Sequence, residues 1–168
     1  METKKLARGS IFTSLSIILI YLSKIIPLNK IYLLGIASAI IPICIITIGV
    51  KPSILVYVST SVLSSIILGF TGVVLSYIIF FGSYGFIKYY VERIRKLPIE
   101  IVLKLIFFDS CFYVIYKFFD IFLNSMPKIN LPLNAVVIML QVIFIVFDYA
   151  LTLFINWYRK KITLDTNF

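Results

Sequence analysis

Residues 98–124 read PIEIVLKLIFFDSCFYVIYKFFDIFLN, and residues 133–157 read LNAVVIMLQVIFIVFDYALTLFINW. Both stretches have the length and apolarity of membrane-crossing helices, yet both carry acids. At 100° per residue, Asp109, Tyr113, Tyr116 and Asp120 share one narrow sector, with Lys117 and Asn124 at its edge. Asn134, Gln141, Asp148 and Thr152 form a second sector on the later stretch. A charge turned toward lipid near the bilayer centre costs on the order of 2.5–3.5 kcal/mol on insertion scales. The two polar sectors are therefore expected to face protein or a watery cavity, most simply one that includes each other.

The rest of the chain supports a membrane setting. Of its 168 residues, 61% are hydrophobic, against about 45–50% in soluble domains, and the mean hydropathy is +1.08. That excess has nowhere to go in water, so the bilayer is the expected solvent. The expected fold class is all-α: one transmembrane domain over residues 1–168, a polytopic bundle of six spans. The spans fall at approximately 7–26, 31–50, 54–69, 72–90, 98–124 and 133–157. Pro27-Leu28-Asn29-Lys30 closes the first. Pro42 is expected to kink the second, and Lys51-Pro52-Ser53 to form a short connection before the third. Gly69 to Gly72 supplies a tight turn. The spacing from Lys88 to Glu92, and from Glu92 to Arg95 and Lys96, predicts a helix that projects past the membrane.

The net charge of +9 would point to nucleic acid in a soluble protein. Here the basic residues sit in short loops, where topology and anionic head groups account for them, and no nucleic-acid partner is expected. With the N-terminus inside, Lys4, Lys5, Arg8, Lys51, Lys88, Arg93, Arg95, Lys96, Arg159, Lys160 and Lys161 fall on the inner side, against Lys24, Lys30 and Lys128 outside. That asymmetry places both termini in the cytoplasm and requires an even number of spans. Lys4, Lys5 and Arg8 before an apolar run, with Ala37-Ser38-Ala39 beyond, imitate a signal peptide, but a second apolar run intervenes and an uncleaved first span is expected.

The chemistry-bearing residues are few. His is absent, which excludes His-based acid–base catalysis and His metal sites, and Cys44 and Cys111 stand singly inside apolar runs. No phosphate-cradling glycine loop, nucleotide motif or metal-ligand cluster is present, so no cofactor or metal is expected. Asp109 lies roughly 16 Å from Pro98 and Asp148 roughly 14 Å from Trp157, which puts the two carboxylates near one depth. Together there they need a proton or a neighbouring cation; Lys104 is one candidate, although its helical angle points largely away from Asp109. A ligand or proton site is one reading of the pair, and interhelical hydrogen bonding is the other. Lys117, Asp120 and Asn124 also fit snorkelling at the interface. Tyr113 and Tyr116 share their face with the acids, and with the opposing Asn134 and Gln141 they outline a small-molecule pocket. An intramembrane aspartyl protease would also pair two acids, but Phe108-Asp109 and Phe147-Asp148-Tyr149 lack that family's Tyr-Asp and Gly-x-Gly-Asp signatures, and no enzyme activity is expected.

Small residues mark helix contacts: Gly9 with Thr13 and Ser10 with Ser14 in the first span, Thr60 with Ser64 and Ser61 with Ser65 in the third. Six short spans, both ends inside, and small-x-x-x-small at the start of the first helix resemble the substrate-binding S components of energy-coupling factor (ECF) transporters. In that family an Ala-x-x-x-Ala motif on the first helix typically meets the transmembrane coupling subunit of an ATPase complex; Ser10-x-x-x-Ser14 stands in its place here. The resemblance implies a nutrient- or vitamin-binding protein of a bacterial cytoplasmic membrane, with the coupling subunit and its ATPases as partners alongside a small-molecule nutrient and the lipid bilayer. It implies a substrate site at Asp109, Tyr113, Tyr116, Lys117, Asp120, Asn134, Gln141 and Asp148, with the acids at 109 and 148 closing its floor. It places partner contacts at Gly9, Ser10, Thr13 and Ser14. The stretch from Lys88 to Leu105 also resembles small membrane proteins of low-GC Gram-positive bacteria. The competing expectations are a structural or regulatory membrane protein without transport, and an ion- or proton-coupled carrier using Asp109 and Asp148.

Overall fold

The computed structural model describes residues 2–26, 30–123 and 133–165. Within them the chain is all-helical, with no strand. Six helical rods follow in order: α1 (Glu2–Ile25), α2 (Lys30–Ile48), α3 (Val50–Leu68), α4 (Gly72–Ile94), α5 (Leu97–Leu123) and α6 (Leu133–Asp165). Five stretches are long and apolar enough to cross a membrane: Thr3–Ile25, Lys30–Ile48, Val50–Leu68, Gly72–Ile94 and Val137–Lys161. The 27 residues of α5 suffice in length, at roughly 40 Å. Its Glu100, Lys104, Asp109, Lys117 and Asp120 set it apart in composition.

α2 and α4 are the most buried rods. α1, α2 and α3 pack on one another, α2 also meets α4 and α6, and α5 lies against α4. α2 takes this central place because it is apolar on every side, as a helix enclosed by others must be. Pro42 lies inside it. The connection expected at residues 51–53 is instead the first turn of α3. Gly49 alone makes the break, at φ +94°, and Pro52 sits where the helix leaves N–H groups unbonded anyway.

α4 also departs from expectation. It carries a π-helical turn at Tyr77–Phe81 and does not continue past residue 94; Glu92–Ile94 tighten into a 3₁₀ turn and Arg95 adopts the left-handed conformation at φ 55°. The π turn displaces its carbonyls from regular pairing, and side chains from neighbouring rods answer. The Tyr57 hydroxyl of α3 donates to the Ile78 carbonyl at 2.7 Å, and the Cys111 thiol of α5 to the Ile79 carbonyl at 3.4 Å. Gly82 and Gly85 follow the turn and admit close neighbours. A Cβ at Gly82 would stand 2.6 Å from the Tyr57 ring, and one at Gly85 2.8 Å from Ile41 and Pro42.

Candidate functional site

Along α4, Tyr77, Phe80, Tyr84 and Lys88 recur every three or four residues and turn one face into the bundle, all buried. Phe80 and Tyr84 are packed among Phe107 and Phe108 of α5 and Phe144 and Phe147 of α6. The aromatic packing sets the height of α6 against α4, and one turn beyond Tyr84 it brings Lys88 to Asp148.

An ion cluster results. The Lys88 ammonium, in a side chain 1% exposed, pairs with the Asp148 carboxylate and with Glu92 at 2.8 Å, and donates to the Thr152 hydroxyl at 2.6 Å. Lys104 of α5 pairs with the other Asp148 oxygen at 2.8 Å and with Glu92 at 3.2 Å. The Tyr84 hydroxyl donates to Asp148 at 2.5 Å, and Thr152 returns its proton to the Asp148 carbonyl at 2.9 Å. Two lysines thus balance two carboxylates, and both Asp148 oxygens are engaged. Such a set ties α4, α5 and α6 together, and removing either lysine leaves two carboxylates with one counter-charge.

The second polar contact of this seam is smaller. Gln141 of α6 donates its amide to both oxygens of Asp109 on α5, at 3.1 and 3.3 Å. The polar faces of α5 and α6 therefore do meet, through Asp109–Gln141 and Lys104–Asp148. The two acids do not share one depth: Gln141 precedes Asp148 by seven residues, roughly 10 Å along α6. Phe144 falls between them and stacks on Phe108 with ring centroids 4.6 Å apart. In place of a common floor, the structure has an aromatic layer between an ion cluster and an amide–carboxylate pair. Lys104 serves as a counter-charge to Asp148, consistent with an angle that points away from Asp109.

Tyr113 and Tyr116 are exposed, at 62% and 38%, and Lys117 is exposed beside them. The side chains of Asp120 and Asn134, and the whole of Asn124, lie outside the described residues. Lys88, Tyr84 and Glu92 were not singled out from sequence for this cluster. The signal was present in the spacing Tyr77, Tyr84, Lys88, which puts the lysine on the buried face instead of in the loop. No protein-family model, curated protein or solved structure matches this chain.

The small-residue stripe of α1 leads to a different feature. A groove of about 680 Å³ opens between α1 and α3, lined by Gly9, Ser10, Thr13 and Ser14 from one and Pro52, Leu55, Val56, Ser59 and Leu63 from the other, with Lys5 and Lys51 at one end. The stripe divides in two. Gly9 and Thr13 are buried against α3, a Cβ at Gly9 meeting Val56 at 3.4 Å. Ser10 and Ser14 face outward with their hydroxyls bonded to the Leu6 and Ser10 carbonyls of their own helix, at 3.1 and 3.0 Å. In the third span, Thr60 and Ser64 are fully buried and serve packing within the chain.

Proposed function

We propose that this chain is a nutrient-binding subunit of the S-component type, embedded in a bacterial cytoplasmic membrane and working with the coupling subunit and ATPases of an ECF transporter. It crosses the bilayer six times with both termini in the cytoplasm. α5 is the sixth crossing: Lys104 is paired by Asp148 and Glu92, and Asp109 accepts hydrogen bonds from the Gln141 amide of α6. Substrate enters from outside among Tyr113, Tyr116, Lys117, Asp120, Asn134 and Gln141, with Asp109 deepest, while Asp148 belongs to the brace beneath.

The observation that carries this reading is the α1–α3 groove. Its outward wall is Ser10 and Ser14, side chains small and already bonded to their own backbone, so a partner helix approaches closely without stranding a polar group. Lys5 and Lys51 at its mouth suit acidic residues on that partner. The test is co-purification from the native membrane. Ser10→Trp with Ser14→Trp is expected to remove the ATPase complex while the chain keeps its thermal midpoint, and Ser10→Ala with Ser14→Ala to retain it. Retention by the tryptophan pair overturns the docking role.

A second reading, a structural or regulatory membrane protein without transport, is favoured by the charge-balanced cluster around Asp148, whose carboxylate is wholly engaged by its own chain. Under it, no nutrient panel stabilises the protein and no ATPase co-purifies.

A further inference from the structure

Two carboxylates stand midway along α5 and α6, and their charges are met differently. Asp148 is matched by Lys88 and Lys104. Asp109 is not: among the described residues its partner is the Gln141 amide, and no lysine or arginine forms an ion pair with it. An amide supplies a hydrogen bond but no charge. Asp109 stands twelve residues into α5, roughly 18 Å from its start, and is exposed. An anion at that depth calls for a positive partner. Tyr113 and Tyr116 follow one and two turns along the same face, both exposed. Lys117 stands roughly 12 Å further along the axis.

Resting on the reading of the chain as a nutrient-binding subunit, we infer that its substrate is an organic cation bearing a flat ring. The Asp109 carboxylate, steadied by Gln141, supplies the counter-charge. The faces of Tyr113 and Tyr116 cover the cation or stack on the ring, an arrangement that selects a positive ligand through the ring quadrupole as well as through the carboxylate. Gln141 gives the carboxylate one fixed direction, and its amide oxygen remains to accept a hydrogen bond from an ammonium N–H.

Three probes of one shape and different charge test this on the full chain in lipid nanodiscs: tryptamine as cation, indole as neutral body, indole-3-acetate as anion. Tryptamine is expected to bind at least about tenfold more tightly than indole by calorimetry and to raise the thermal midpoint, with indole-3-acetate giving no shift. Asp109→Asn keeps an acceptor for Gln141 and is expected to reduce tryptamine to the level of indole, while Asp109→Glu retains the preference. Equal binding of the three probes, a preference for indole-3-acetate, or tryptamine binding that survives Asp109→Asn overturns the inference. These results are separable from the transporter reading. A chain that carries the ATPase complex but prefers the anion refutes the cationic substrate alone, and one that prefers tryptamine but brings down no complex refutes the transporter alone.

Discussion

At the scale of single residues, the chemistry is decided by which charges find partners. Lys88 is buried because Asp148, Glu92 and Thr152 receive it, and the Tyr84 hydroxyl completes the shell of Asp148. A buried pair of this kind is weak evidence for stability, but breaking it from one side is severe. Lys88→Met leaves Asp148 and Glu92 to share Lys104 alone and is expected to destabilise the protein by about 1–3 kcal/mol, read as a lowered midpoint in reversible denaturant unfolding in detergent. Lys88→Met combined with Asp148→Asn is expected to cost less than the sum of the two single changes, because the double variant again balances one lysine, Lys104, against one carboxylate, Glu92. Additive losses would show that the lysine and the carboxylate act independently. Lys104 was recognisable in the sequence as a counter-charge, and its angle already spoke against Asp109. The wheel of one helix cannot say which neighbour receives a side chain, so Asp148 as its partner emerged only from the packing.

At the scale of elements, α4 is the most specialised rod. Its π turn is tolerated because Tyr57 and Cys111 donate to carbonyls of that turn. Tyr57→Phe removes the hydroxyl donor to the Ile78 carbonyl, at an expected cost of about 1–3 kcal/mol; an unchanged midpoint would show that this bond does not support the turn. Gly82 and Gly85 act through space instead of through conformation. Gly85→Ala drives a methyl into Ile41 and Pro42, with an expected loss of about 1–3 kcal/mol. Gly35→Ala is the control, since its added carbon meets the Phe147 ring at an ordinary 3.4 Å. Equal effects at positions 35 and 85 would refute the close approach of α2 to α4. The glycines were visible in the sequence, but the π turn was not, because groups that meet its carbonyls lie on other rods, Tyr57 on α3 and Cys111 on α5.

At the scale of the whole molecule, the proposed six crossings and the basic-residue asymmetry make a topological prediction. Cysteine introduced at Lys4 or Arg95 is expected to react with an impermeant maleimide only from the cytoplasmic side, and cysteine at Phe70, exposed in the turn after α3, only from outside. The native thiols do not interfere, since Cys44 and Cys111 are both buried. Labelling of Arg95→Cys and Phe70→Cys from the same face would remove the crossing by α4 and with it the even count.

Composition and period alone determined that this chain is helical and that most of its rods are long and apolar enough to cross a bilayer, and they marked the polar sectors of α5 and α6 that meet through Asp109–Gln141 and Lys104–Asp148. Those conclusions rest on transfer free energy and helical repeat, which are local properties of the chain. Only the tertiary structure decided that Asp148 is neutralised by lysines of α4 and α5 while Asp109 is left with an amide, and that an aromatic layer parts them. The height of one helix against another is set by side-chain packing across the bundle, and shifting a rod by a single turn reassigns every partner.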